Sequence, residues 1–338
     1  MRYLEDGLKD RAITRDIEWG IPIPQPGFEK KRIYVWFEAV IGYLSASKEW
    51  ARAHKNEDGW ADYWQGEARS YYFIGKDNIP FHTMIWPAML MGYGGLNLPS
   101  DVPANEFLTI EGKKLSTSRN WAVWLPDYLE RYAPDPLRYL LSANMPESAD
   151  ADFSWREFVR RNNDELVATY GNLVHRVMTF THRHFDGCVP TPGELDAASN
   201  TLLQKAESTV AAVDDSLGHC RFREGIRAAM LLAQETNRYL DEKSPWKTVK
   251  TDREACGTAL FVSFSAICCL KTVLAPFLPF SSQKLHGLLG FKGEVTAEGW
   301  GLHLVRPGQK LGPAETLFTK LDEAVVAEES SRLGNGHG

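Results

Sequence analysis

The stretch SYYFIGKDNIPFHTMIWPAML, Ser70 to Leu90, changes its pattern in the middle. Its first six residues are crowded with aromatic and β-branched side chains and read as a strand, while Asp77-Asn78 reads as a helix cap and Pro80 suits a first turn. Met84, Trp86, Met89 and Leu90 then continue the helix. EFLTI, Glu106 to Ile110, reads as the next strand and RIYVWF, Arg32 to Phe37, as an earlier one. Strand, helix, strand predicts a parallel α/β unit, whose ligands sit beyond the carboxyl ends of the strands.

Downstream of Trp155 the period becomes helical. Val159, Leu166, Tyr170, Leu173, Val177 and Thr181 share one face, and Leu202, Ala206, Val210, Val213 and Leu217 mark a second helix. Ile226, Met230, Ala233 and Leu240 mark a third, and Leu260, Phe264, Ile267 and Leu274 a fourth. LAPFLPF, Leu274 to Phe280, interrupts the pattern before a short helix near Lys284 to Leu289. These helices predict an α-helical bundle, and the glycine-rich segment after Gly290 is expected to be partly irregular.

The chain has 338 residues, enough for two domains, and a net charge of −6, so no global positive field marks it for nucleic acid. Its five cysteines form no C-x-x-C pair and are expected to be reduced, mostly buried thiols of a cytoplasmic protein. No apolar run reaches membrane-spanning length, and no cysteine spacing offers a metal site.

Three segments beyond the strands carry chemistry-bearing residues. In IEGKKLSTSRNW, Ile110 to Trp121, small residues, cations and hydroxyls are what a triphosphate requires, although from composition alone an exposed Lys/Ser-rich turn is the better reading. In GKDNIPFH, Asp77 suits a turn and helix cap or equally a ribose hydroxyl pair, and a lone His82 is more often a core residue than a catalytic one. Trp36 and Tyr43 either fill a core or wall an apolar pocket.

Together and in order, AITRDIEWGIPIP, YVWFEAVIGY, YYFIGKDNIPFHTMIWPAMLMG, GKKLSTSR, DADFSWREFVRRNNDELVATYGNLVHR and LDEKSPW resemble methionyl-tRNA synthetases, which are class I aminoacyl-tRNA synthetases. The resemblance implies an α/β fold, the second half of a class I Rossmann-like nucleotide fold, followed by an all-α anticodon-binding bundle. It implies four regions: 1–105 of the Rossmann-like half, 106–155 around the signature loop, 156–290 of the bundle, and 291–338 as an extension. The implied activity joins methionine to tRNA(Met) through an adenylate made from ATP, with Mg²⁺ accompanying the ATP.

KLSTS, Lys114 to Ser118, looks like the class signature written KMSKS. Lys114, Thr117 and Ser118 thereby fall at catalytic positions, and Gly75, Asp77, Lys113, Lys114, Ser116, Thr117 and Arg119 at ATP-binding ones. Trp36, Ala39, Val40, Tyr43, Asn78 and His82 fall where the family shapes its methionine pocket. Asn172, Arg176 and Trp246 fall where it reads the CAU anticodon; Trp246 on its own would suit a helix-start core residue. Thr117 replaces the signature's second lysine, so Lys113, Lys114 or Arg119 is expected to supply that charge. The family's His-x-Gly-His signature and zinc-bearing connective domain are not found in this sequence. The expectation is a C-terminal part, inactive in adenylate formation alone, with an N-terminal half as partner. The alternatives are a non-catalytic tRNA-binding fragment, half of a split synthetase, or another class I synthetase.

Overall fold

The computed structural model describes Glu5, Gly7, Asp10 and residues 12–334. The chain divides into two compact units, Met1–Phe107 and Leu108–Gly338.

In the first unit β1 (Thr14–Arg15) pairs antiparallel with β2 (Arg32–Ile33). The strand expected over Arg32–Phe37 therefore stops early, because Tyr34 is an extended cap and Val35–Ala39 winds into helix α1. A short apolar run has no period of its own, and here Val35, Trp36 and Phe37 spread around a helix. Helices α2 (Gly42–Ala53) and α3 (Ala61–Trp64) come next. β3 (Ile74–Gly75) then pairs in parallel with β4 (Ala104–Asn105), and a bridge between Tyr71 and Asp101 extends the pairing.

The connection between β3 and β4 is helical: a tight turn at Lys76–Asn78, a wide π-type turn at Phe81–Ile85 and α4 (Trp86–Tyr93). The parallel strand–helix–strand unit is thus present, with its second strand a few residues earlier than expected. Val40, Trp64, Tyr72, Phe81, Trp86 and Leu90 form its core.

In the second unit LTI of EFLTI forms β5 (Leu108–Ile110), in a three-stranded sheet of order β6–β5–β7. β6 (Lys113–Lys114) makes a hairpin with β5, pairing Lys114 with Thr109, and β7 (Ala151–Phe153) runs parallel to β5. α5 (Leu125–Arg131) and α6 (Pro134–Ala143) connect β6 to β7. Ile110, Tyr128, Phe153, Trp155 and Phe158 form a core behind this sheet.

Ser154 caps α7 (Trp155–Arg161) by accepting from the Glu157 amide, a Ser-x-x-Glu start. A π-type run, Asn162–Gly171, joins α7 to α8 (Asn172–His184), and the Asn172 amide reaches back five residues to the Val167 carbonyl. Val159, Leu166, Tyr170, Leu173, Val177 and Thr181 are all buried along it. Asp196 and Asp252 cap α9 (Ala197–Gly218) and α12 (Arg253–Val273), with α10 (Phe222–Lys243) and α11 (Pro245–Thr248) between. α12 is apolar and long enough to span a membrane, yet most of it is buried inside the bundle. α13 (Pro279–Leu288) begins five residues earlier than the helix expected near Lys284 to Leu289, because the second proline of LAPFLPF occupies its first turn, where no amide donor is needed.

The tail is partly irregular, as its glycines suggest, and it is also packed. Val305, Leu311 and Phe318 bury in the bundle core, and α14 (Ala324–Arg332) lies on α7. Their spacing has no single period because each inserts separately, which hides them from a helical or strand template. All five cysteines are free, and Cys256, Cys268 and Cys269 are buried.

Candidate functional site

In the first unit, α1 with its C-cap and the start of α2 bring up Trp36, Ala39, Val40 and Tyr43, and the turns after β3 bring up Asp77, Asn78 and His82. His82 is only 4% exposed, and its Nδ1 lies 3.0 Å from the Asn78 carbonyl. A carbonyl can only accept, so Nδ1 carries the proton in the neutral ring and Nε2 offers a lone pair. The Tyr43 hydroxyl, 2.9 Å from Nε2, is then its donor.

Tyr43 stands edge-on to Tyr72 with centroids 5.0 Å apart, and Trp86 Nε1 donates to the Tyr72 hydroxyl at 3.0 Å. Burial pushes the Tyr72 phenol up, so it stays a neutral part of this stack. Trp36 packs on Phe81 at 5.6 Å while remaining 45% exposed, and Tyr43 is 43% exposed. The result is an aromatic wall with one open side, suited to a flexible thioether. Ala39 is on the exposed side, whereas Val40 sits in the core beneath. Gly75 and Asp77 are exposed, and nothing occupies the space that a Gly75 side chain would fill. Lys76 is ion-paired with Glu106 and lies over the Phe107 ring.

In the second unit, Lys113 and Lys114 are the exposed return strand of the hairpin. Glu111 and Gly112 take left-handed backbone at its tip, and Asp152 Oδ1 accepts from the Gly112 amide at 2.8 Å. A tight turn comes next, in which Ser116 and Trp121 exchange backbone bonds of 3.0 and 2.8 Å. Ser116 Oγ receives the Arg119 Nε at 3.2 Å and faces Ser118 Oγ at 3.3 Å. Thr117, Ser118 and Arg119 are exposed on this turn, and Lys113 Nζ lies 4.2 Å over the Trp121 ring. Two lysines, three hydroxyls and one guanidinium thus share a short exposed loop, a set matched to phosphate oxygens. Sequence reading overlooked Asp152, and its position in the short strand ADF gave no signal of the contact.

On the bundle, Asn172 and Arg176 project from one face of α8, both exposed. Arg176 bonds Asp241 at 3.0 Å and its guanidinium carbon lies 5.2 Å from the Trp246 ring centre. Ser244 takes a left-handed backbone that turns the chain from α10 into α11. Pro245 is the buried residue there, while Trp246 is 42% exposed, so the tryptophan is not the core residue that its helix-start position also allowed. A cleft of about 250 Å³ opens beside it, lined by Arg176, Phe180, Arg183, Leu240 and Trp246. Asp241 was the missed partner; its place in LDEKSPW, five residues before Trp246, is a signal that was available.

Residues 1–178 match the family model described as tRNA synthetases class I (M), and residues 189–337 match the anticodon binding domain of methionyl tRNA ligase. The chain belongs to the methionyl-tRNA synthetase family. A methionine–tRNA ligase of Dehalococcoides mccartyi is 60% identical over 334 residues, covering 99% of this chain and 60% of the relative. One from Roseiflexus castenholzii is 50% identical over 365 residues, covering 98% and 62%. The Mycobacterium tuberculosis methionyl-tRNA synthetase bound by methionyl-adenylate superposes with a TM-score of 0.81 at 28% identity, covering 94% of this chain and 62% of that one. The chain therefore spans about 60% of the length of the curated relatives it matches. Among its described residues no three of His, Cys, Asp and Glu come together as metal ligands.

Proposed function

We propose that this chain carries one part of a methionine-activating site and the tRNA-reading bundle of a methionine–tRNA ligase. The reaction joins a methionine carboxylate oxygen to the α-phosphorus of ATP, with pyrophosphate leaving, and then passes the methionyl group to tRNA(Met) with release of AMP. The observation that carries this reading is 60% identity to a methionine–tRNA ligase over 99% of the chain. The first unit contributes Trp36, Ala39, Val40, Tyr43, Asn78 and His82 to methionine and Gly75 and Asp77 to adenosine. In the second, Lys113, Lys114, Ser116, Thr117, Ser118 and Arg119 attend the triphosphate with its Mg²⁺, Lys114, Thr117 and Ser118 acting in the chemical step through charge and positioning. Asn172, Arg176 and Trp246 read the anticodon by hydrogen bonds and base stacking. The division into 1–105, 106–155, 156–290 and 291–338 is the functional one, in a cytoplasmic protein.

Methionine-dependent ATP–pyrophosphate exchange tests it. The chain alone is expected to give background exchange, and the chain mixed with the portion of the Dehalococcoides mccartyi relative that it does not span is expected to give exchange that methionine alone supports. Robust exchange by the chain alone overturns the shared-site reading. Failure of the mixture, with tRNA binding intact, favours a tRNA-binding role without catalysis.

A further inference from the structure

The tail returns to the base of the Lys114–Ser118 loop. Glu329 of α14 is 2% exposed, and its carboxylate accepts from Arg131 Nε at 2.8 Å, Arg131 Nη2 at 2.9 Å and the Tyr132 hydroxyl at 2.9 Å. A forked guanidinium and a phenol thus satisfy a buried carboxylate. Burial and then Glu329 push the Tyr132 phenol up to about 12, which keeps its proton for that bond. Leu333 buries in the same core as Ile110. The Gly334 amide then donates to the Asn120 carbonyl at 3.0 Å.

Asn120 is the left-handed residue that closes the Ser116–Trp121 turn. Gly334 has φ +78, and a Cβ on it would stand 3.3 Å from the Trp121 ring, so this close approach requires glycine. Trp121 in turn donates to the Ile110 carbonyl at 2.8 Å. β6 is the edge of its sheet, paired with β5 alone, and its exposed lysines and the hydroxyls of the turn after it bury little. Its order therefore needs anchors from outside.

We propose that Glu329 to Gly334 form a strap of positioning residues for the loop: the Glu329 latch fixes α14, and Gly334 pins the turn at Asn120. The strap has a catalytic consequence only through the proposed triphosphate role of the loop; the coupling itself does not depend on that role.

Limited trypsin digestion of the whole chain reads the coupling directly, because cleavage after Lys113, Lys114 and Arg119 tracks the open population of the loop. Glu329→Ala is expected to accelerate these cuts roughly tenfold, through loss of a charge-assisted network. Gly334→Pro, which deletes the donor and forbids the positive φ, is expected to accelerate them roughly fivefold. Cuts after Arg221 and Lys247 at bundle-helix ends serve as internal reference and stay unchanged. Glu329→Gln, which keeps one acceptor, is expected to restore partial protection. Should Glu329→Ala unfold, Gly334→Pro carries the test, since it lies beyond α14. Loop cleavage that is unchanged in Gly334→Pro, or that rises in step with the bundle sites, overturns the proposal. An inactive pyrophosphate-exchange mixture would count against the ligase reading and leave this result standing.

Discussion

The aromatic wall of the first unit and the bundle of the second use the same residue types to opposite ends. In the bundle, Phe264, Ile267 and Leu270 are fully buried on α12, and order comes from apolar area removed from water. In the wall, Trp36 and Tyr43 keep nearly half of their surface, and order comes from directed contacts: a phenol on an imidazole, an indole on a phenol. Packing sets the bundle and hydrogen bonding tunes the wall. Truncating a buried ring should therefore register as lost stability and truncating a half-exposed ring as lost ligand recognition, while losing a donor to a buried group costs a smaller amount of stability.

The largest effect is expected in the bundle core. Phe264→Ala should lower the unfolding free energy by about 3–5 kcal/mol in urea titrations, and a loss below about 1 kcal/mol would mean that the bundle collapses around the gap. Trp246→Ala should weaken binding of tRNA(Met) by about 1–3 kcal/mol at fixed salt. Its effect on stability should stay within about 0.5 kcal/mol, since the ring is exposed; comparable losses in both readings would erase the contrast. Tyr43→Phe removes the donor to buried His82 Nε2, and chemical denaturation should show a cost of about 1 kcal/mol.

The smallest effect is electrostatic. Hydrogen bonding from Lys243, then from the Ser199 amide, holds the Asp196 carboxyl down at about 2. A carboxyl depressed in the folded state contributes stability above its ordinary pKa and loses it as pH falls through the folded value. With a side chain 56% exposed, solvent screening limits this to a few tenths of a kcal/mol. Asp196→Asn keeps the cap oxygen, so the difference from the native chain should be present above roughly pH 4 and vanish near pH 2. A difference that persists in acid would point to the cap instead of the charge.

Long apolar periods were legible, and short or borrowed ones were not. Val159 to Thr181 fell on one face as read, because an unbroken helical run from Trp155 to His184 leaves a pattern that the core must obey. ADF at β7 is three residues long, and the helical state of Trp36 depends on the extended Tyr34 before it, so neither leaves a readable period. The tail hid for another reason: Glu329 looks solvated in EESSR and is buried only because Arg131 and Tyr132, far away in sequence, meet it. In the candidate site, motif order singled out residues that the structure places in the aromatic wall, the exposed loop and the bundle face. Their supports, Tyr72, Asp152 and Asp241, are ordinary residues whose value is set by tertiary neighbours.

The widened run Asn162–Gly171 constrains how such a chain can vary. Each residue added to or removed from a helix turns its downstream part by about 100°, so one deletion here would swing Arg176 away from Asp241 and Trp246. Gly171 shows how closely the wide turns are fitted, since a Cβ there would meet the Leu166 carbonyl oxygen at 3.0 Å and Phe318 at 3.3 Å. The exposed Ala168 side chain carries no such constraint. The segment matters as a counted length: the number of residues between Trp155 and Asn172 sets the angle at which α8 presents Asn172 and Arg176.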